Sequence, residues 1–173
     1  MSKINYTHAE LVERAKNWLW KQGCSVVITE MASACQEPDA IGWKQGYSIL
    51  IECKTNRSDF RREKRKSFME YYINSMGNKR YYLAPNGVIP VEELPKEYGL
   101  LVPYRSGLMV TRDGQFIQNN DKNSHDEIKL LISAIRRMRA IPPKGTSVRT
   151  YVYETGNRAS LGLKKYNKQE GKR

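Results

Sequence analysis

Tyr47-Ser-Ile-Leu-Ile-Glu-Cys-Lys54 reads as a strand that runs apolar and then ends in charge. Ile49, Leu50 and Ile51 are apolar at consecutive positions, which suits a central strand covered on both faces. Alternation along a strand places Glu52 and Lys54 on one face and Cys53 on the other. An ionised group at the end of so apolar a strand has to be paired, bound to a metal or neutralised by a pKa shift. The plain alternative is a same-face ion pair at a sheet edge, where such a pair contributes about 0.2–1 kcal/mol. The apolar run before it argues against an edge.

Upstream, Ala40-Ile-Gly-Trp-Lys-Gln-Gly-Tyr47 carries a turn signal at Lys44-Gln45-Gly46 between two strand-like runs, so the segment predicts a hairpin. Antiparallel pairing then brings Asp39, at the outer end of the first strand, beside Glu52 and Lys54 at the outer end of the second. Two carboxylates brought close repel unless a cation lies between them. Oxygen donors suit Mg2+ or Mn2+, and no His/Cys cluster here favours zinc. A lysine beside such an ion can hold an attacking water and stabilise charge developing on a phosphoryl oxygen.

Asp39, Glu52 and Lys54, with Pro38 before the aspartate, resemble the PD-(D/E)xK signature of a nuclease superfamily that includes restriction enzymes, junction resolvases and repair nucleases. Within it, Glu52-Cys-Lys-Thr-Asn-Arg-Ser-Asp-Phe60, the Arg/Lys-rich segment that follows, Lys79-Arg-Tyr-Tyr-Leu-Ala-Pro85 and Leu94-Pro-Lys-Glu-Tyr-Gly-Leu-Leu-Val-Pro103 are similar to the bacterial MmcB-like DNA-repair family. The likeness spans roughly residues 8–140. It implies an α/β fold with a restriction-endonuclease-like core, a central mixed β-sheet flanked by helices. It also implies a metal-dependent DNA endonuclease working in repair, recombination or phage DNA processing, with Asp39, Glu52 and Lys54 catalytic. One or two Mg2+ (or Mn2+) ions would be held by Asp39, Glu52, Glu30 and the carbonyl of Cys53. Glu30, after Val26-Val-Ile-Thr, matches a further acidic residue of the superfamily; its other reading is a strand end in solvent. Lys54 would orient the water, and cleavage would leave a 5′-phosphate and a 3′-hydroxyl. DNA is the implied partner, RNA stays open, and a homodimer would cut two strands. The alternatives on the same fold are a non-catalytic nucleic-acid-binding module and a phage-type inhibitor or adaptor.

Composition agrees with a polyanionic partner: 30 Lys+Arg face 18 Asp+Glu among 173 residues, a net charge of +12. The length suits one domain with a real core. No run is apolar enough for a membrane span and no signal-peptide pattern opens the chain, which predicts a cytoplasmic protein without a membrane partner. Cys24, Cys35 and Cys53 show no metal spacing and read as reduced, mostly buried thiols.

Thr7-His-Ala-Glu10 is a capping-box pattern that opens a helix with Leu11, Val12, Ala15, Trp18 and Leu19 on one face, ended by Gly23. Glu10 is thereby a cap, and His8 and His125 receive no role. After Lys54, Ser58 or Asp59 caps a helix that runs to near Gly77, with Phe60, Phe68, Tyr71, Tyr72 and Met76 on its apolar side. Its first turns carry Arg61, Arg62, Lys64, Arg65 and Lys66, cations that a helix amino terminus repels unless phosphate arrives. Arg57, Arg61, Arg62, Lys64 and Lys66 are therefore the candidate backbone contacts, the other reading being a solvated charged face.

Strands follow at Lys79–Pro85, Gly99–Pro103 and Gly107–Gly114, the last two paired through a turn at Tyr104–Ser106. Ser124-His-Asp-Glu127 repeats the capping box and predicts a helix with Ile128, Leu131, Ile132, Ile135 and Met138 facing the core, ended by Pro142-Pro143. Residues 1–143 form the expected nuclease-like domain. Residues 144–173 hold eight Lys/Arg against two acidic residues, with Tyr151, Tyr153 and Tyr166 interspersed, and read as a basic, partly flexible tail.

Overall fold

The hairpin forms where the turn signal lies. Gln45 and Gly46 join β2 (Ala40–Lys44) to β3 (Tyr47–Cys53), with Lys44 opposite Tyr47 and Gly46 at φ 85°, a left-handed conformation that glycine takes without strain. The structure is a computed structural model that describes residues 5–31, 37–65, 76–118 and 121–139. β1 (Val26–Thr29) pairs antiparallel on the outer side of β2, while β4 (Lys79–Leu83) and β5 (Tyr98–Tyr104) add to β3 in parallel. β6 (Gly107–Arg112) closes the order β1-β2-β3-β4-β5-β6, antiparallel to β5. The α/β fold with a central mixed sheet is thus the one expected. β3 lies third of six and is buried from Ser48 to Cys53, as its apolar run requires.

One face of the sheet is covered by α1 (His8–Lys21), whose Thr7–Glu10 capping box is present and whose buried residues are Leu11, Val12, Ala15, Trp18 and Leu19. They pack on Ile49, Ile51, Cys53, Tyr81 and Leu83, with Trp18 edge-on to Tyr81 at 5.4 Å. Each such side chain contributes about 1.5–3 kcal/mol when fully buried. On the other face, α2 (Arg57–Arg65) sets Phe60 against Tyr82, which stacks on Tyr98. There too α3 (Asp121–Arg139) sets Leu130 against Ile41, Leu50 and Met76.

Two helix starts differ from expectation. Asn56, not Ser58 or Asp59, caps α2: its Oδ1 accepts from the Asp59 N–H at 2.9 Å, one turn earlier than the sequence suggests. α3 begins at Asp121, so Ser124-His-Asp-Glu127 is its interior and not its cap. Glu127 is buried and accepts from Ser48 Oγ at 2.7 Å, Gly77 N–H at 2.9 Å and Trp43 Nε1–H at 2.8 Å. Leaving three buried donors unmade costs more than exposing aliphatics, so the helix turns Asn123, Glu127 and Leu130 inward. Ile128, Ile132 and Ile135, expected in the core, are 55%, 44% and 50% exposed. The rest of the helix expected to run to near Gly77, with Phe68, Tyr71 and Tyr72, falls outside the described residues, as do Cys35 and the tail. No helix among the described residues is long and apolar enough to cross a membrane.

Candidate active site at the carboxyl edge of the sheet

Strand direction assembles the site. β3, β4 and β5 run parallel, and β1 runs the same way because it and β3 are both antiparallel to β2. The carboxyl ends of four strands and the amino end of β2 therefore share one edge. The pairing of Ala40 with Ile51 sets Asp39 opposite Glu52, and Asp39 Oδ2 accepts from the Cys53 N–H at 2.6 Å. That bond fixes the aspartate across the mouth of the hairpin.

Glu52 and Lys54 share a face, as alternation demands, and both are buried, at 5% and 8% exposure, with Oε2 and Nζ 3.6 Å apart. Lys54 Nζ also lies 5.9 Å from the centre of the Tyr82 ring. Taking both charges out of water costs several kcal/mol per ion, repaid only in part by their attraction. Cys53 turns the other way into the α1 cluster. Its thiol pKa is pushed well above the ordinary range, by burial first and then by Asp39 and Glu52, with Glu30 adding and Lys54 opposing. Four charges thus converge on residue 53.

Glu30 follows β1 in a left-handed conformation, φ 47°, and its N–H lies 3.2 Å from both the Pro38 and Asp39 carbonyls. Its side chain is half exposed and turns to an unexpected neighbour, His8. His8 Nε2 stands 3.5 Å from Glu30 Oε1 and 3.4 Å from Asp39 Oδ1. The signal that places it is topological: α1 passes through Gly23 into β1, so the start of the helix and the end of the strand return to one edge. Glu10, by contrast, spends its carboxylate on the cap, accepting from the Thr7 N–H at 2.8 Å.

The donors gathered here are carboxylate oxygens, which in kind fit a hard dication such as Mg2+ or Mn2+. In spacing, no group of three or more His, Cys, Asp or Glu among the described residues is drawn together tightly enough to hold an ion. For Cys53 it is the N–H, bonded to Asp39, that the contacts define.

The basic residues divide. Arg57 is ion-paired with Glu93, and Arg62 with Asp59 at 2.9 Å. Arg61 and Arg62 are exposed at the start of α2. The Lys64 side chain and Lys66 lie outside the described residues.

No family model and no curated protein matches the chain. Among solved structures, a protein of unknown function from Silicibacter pomeroyi is similar in fold, with a TM-score of 0.62 at 21% identity, over 84% of this chain and 99% of that one. At that identity the likeness speaks for the fold alone.

Proposed function

We propose that the chain is a metal-dependent nuclease that hydrolyses phosphodiester bonds in DNA, in the cytoplasm, as an enzyme of repair, recombination or phage DNA processing. One observation carries this reading: a glutamate and a lysine are buried together at the carboxyl end of a central apolar strand, with an aspartate set opposite by the hairpin register. A fold seldom retains such charges for stability, since an apolar pair of similar volume is often as stable or more so. Asp39 and Glu52, with Glu30 at the rim, supply the carboxylates that would hold Mg2+ or Mn2+ once drawn together around it. Such an ion would supply Lewis-acid chemistry to the phosphate and the attacking water. Lys54 positions the attacking water and stabilises charge on the non-bridging oxygen. Water oxygen bonds to phosphorus as the bond to O3′ breaks, leaving a 5′-phosphate and a 3′-hydroxyl. Arg61 and Arg62, exposed on α2, fit backbone phosphates beside the site.

The separation of the carboxylates favours a second reading, a nucleic-acid-binding module without catalysis. The two part in a panel of labelled duplex, nicked, flap, junction and single-stranded substrates with Mg2+ and Mn2+, run beside Lys54→Ala. Cleavage of one substrate that Lys54→Ala abolishes supports the nuclease. Salt-dependent binding of all with cleavage of none supports the module.

A further inference from the structure

We infer that the hairpin tip Tyr104-Arg105, at the edge of the sheet that carries Glu52 and Lys54, is a stacking platform for an unpaired nucleotide of the DNA strand entering that site. The inference rests on the nuclease reading and names its substrate class: single-stranded or branched DNA, not continuous duplex.

Placement comes first. Cys53 is level with Leu83, and Leu83 with Leu101, so Tyr104 lies three residues beyond the level of Cys53 and two strands to the side. At about 3.3 Å per residue and 4.8 Å per strand, that is about 10 Å in each direction, the span of two or three nucleotides. Tyr82, Leu100 and Val102 share the face of the sheet that bears Glu52, and alternation puts Tyr104 on that face. Among the described strands beside it, β4 has already ended at Leu83, so the β5–β6 hairpin runs past it. Pro103, which has no N–H, pairs with Leu108 of β6 beyond the end of β4.

Chemistry comes second. Tyr104 and Met109 are 53% and 47% exposed, a ring and a thioether open to solvent. The Arg105 guanidinium lies 5.2 Å from the Tyr104 ring centre, so cation and ring form one surface matched to a base and its phosphate. The tip is held in place: Arg14 Nη1 of α1 donates to the carbonyls of Arg105 at 3.0 Å and Gly107 at 3.1 Å. α1 also brings His8 to Asp39, so one helix ties the platform to the site.

The test is binding of fluorescein-labelled single-stranded and blunt duplex DNA of one length to the full chain in EDTA, which removes cleavage from the readout. Tyr104→Ala is expected to weaken single-strand binding about tenfold and leave duplex binding and the salt slope unchanged. Tyr104→Phe retains parent affinity, and 2-aminopurine in the single strand is quenched by the parent and by Tyr104→Phe only. Equal affinity of Tyr104→Ala and parent for the single strand, or an equal loss on both DNAs, overturns the platform while leaving the nuclease reading intact. If the parent binds neither DNA, the platform is overturned, and the cleavage panel in Mg2+ and Mn2+ decides the nuclease reading separately.

Discussion

Two buried glutamates stand on the same face of the molecule at opposite ends of β3, and their surroundings differ in kind. Glu127, at the Ser48 end, accepts from a hydroxyl, a backbone amide and an indole N–H, and buried Arg80 donates its Nε–H to the carbonyls of Met76 and Gly77 close by. Glu52, at the Lys54 end, is paired with a lysine and set opposite an aspartate, with His8 and Glu30 on that aspartate's far side. The first arrangement ties a helix to a sheet. The second holds charges together against their desolvation cost, and on that contrast the nuclease proposal rests.

The largest effect is expected at the charged end and in activity: Lys54→Ala lowers the rate of DNA cleavage by about 10²–10³-fold or more, measured in single turnover on the folded fraction, because the change also takes the lysine from buried Glu52 and costs some stability. At the Glu127 end the order reverses. Glu127→Ala strands the Ser48, Gly77 and Trp43 donors and costs about 3 kcal/mol in urea unfolding, while the cleavage rate of the folded fraction stays near that of the parent. A Glu127→Ala protein as stable as the parent removes the contrast between the two ends.

The thiols give a finer measure. Cys24, at the Trp43 end, has a pKa raised to about 11 by burial. Cys53 is raised by burial and further by Asp39 and Glu52, so alkylation of the native protein with rising pH, read by peptide mapping, reaches Cys24 before Cys53. Asp39→Asn lowers the Cys53 value and leaves Cys24 unmoved.

The smallest effect is at Asp113, whose carboxyl pKa is lowered below 3.8 chiefly by the Tyr81 hydroxyl, with Lys79 adding. A folded value below the unfolded one adds stability at pH above about 4 that is lost as pH falls through the folded value. The group is exposed, so the loss stays under about 1 kcal/mol, and Asp113→Asn abolishes it in melts between pH 5 and 2.

Much of this was legible in local pattern. The apolar run Ile49–Ile51 places β3 in the middle of the sheet, the Lys44-Gln45-Gly46 turn sets the register, and the register puts Asp39 opposite Glu52. What local pattern does not carry is contact across the chain. His8 meets Asp39 only because α1 and β1 return to one edge, and no spacing near His8 records that. The apolar face of α3 is not the buried one because three distant donors claim Glu127 from the capping-box pattern, and the tertiary contacts win. Arg57, basic in sequence and so a candidate for phosphate, is met by Glu93, 36 positions away.

The most direct test of the charged edge is Mn2+ binding by calorimetry to the parent and to Asp39→Asn, with DNA binding in low salt measured alongside. A metal-dependent nuclease predicts that Asp39→Asn weakens Mn2+ binding about tenfold or more, keeps the parent melting temperature, and binds DNA as well or better once a carboxylate that repels phosphate is gone. Mn2+ bound equally by both proteins, or by neither, contradicts it.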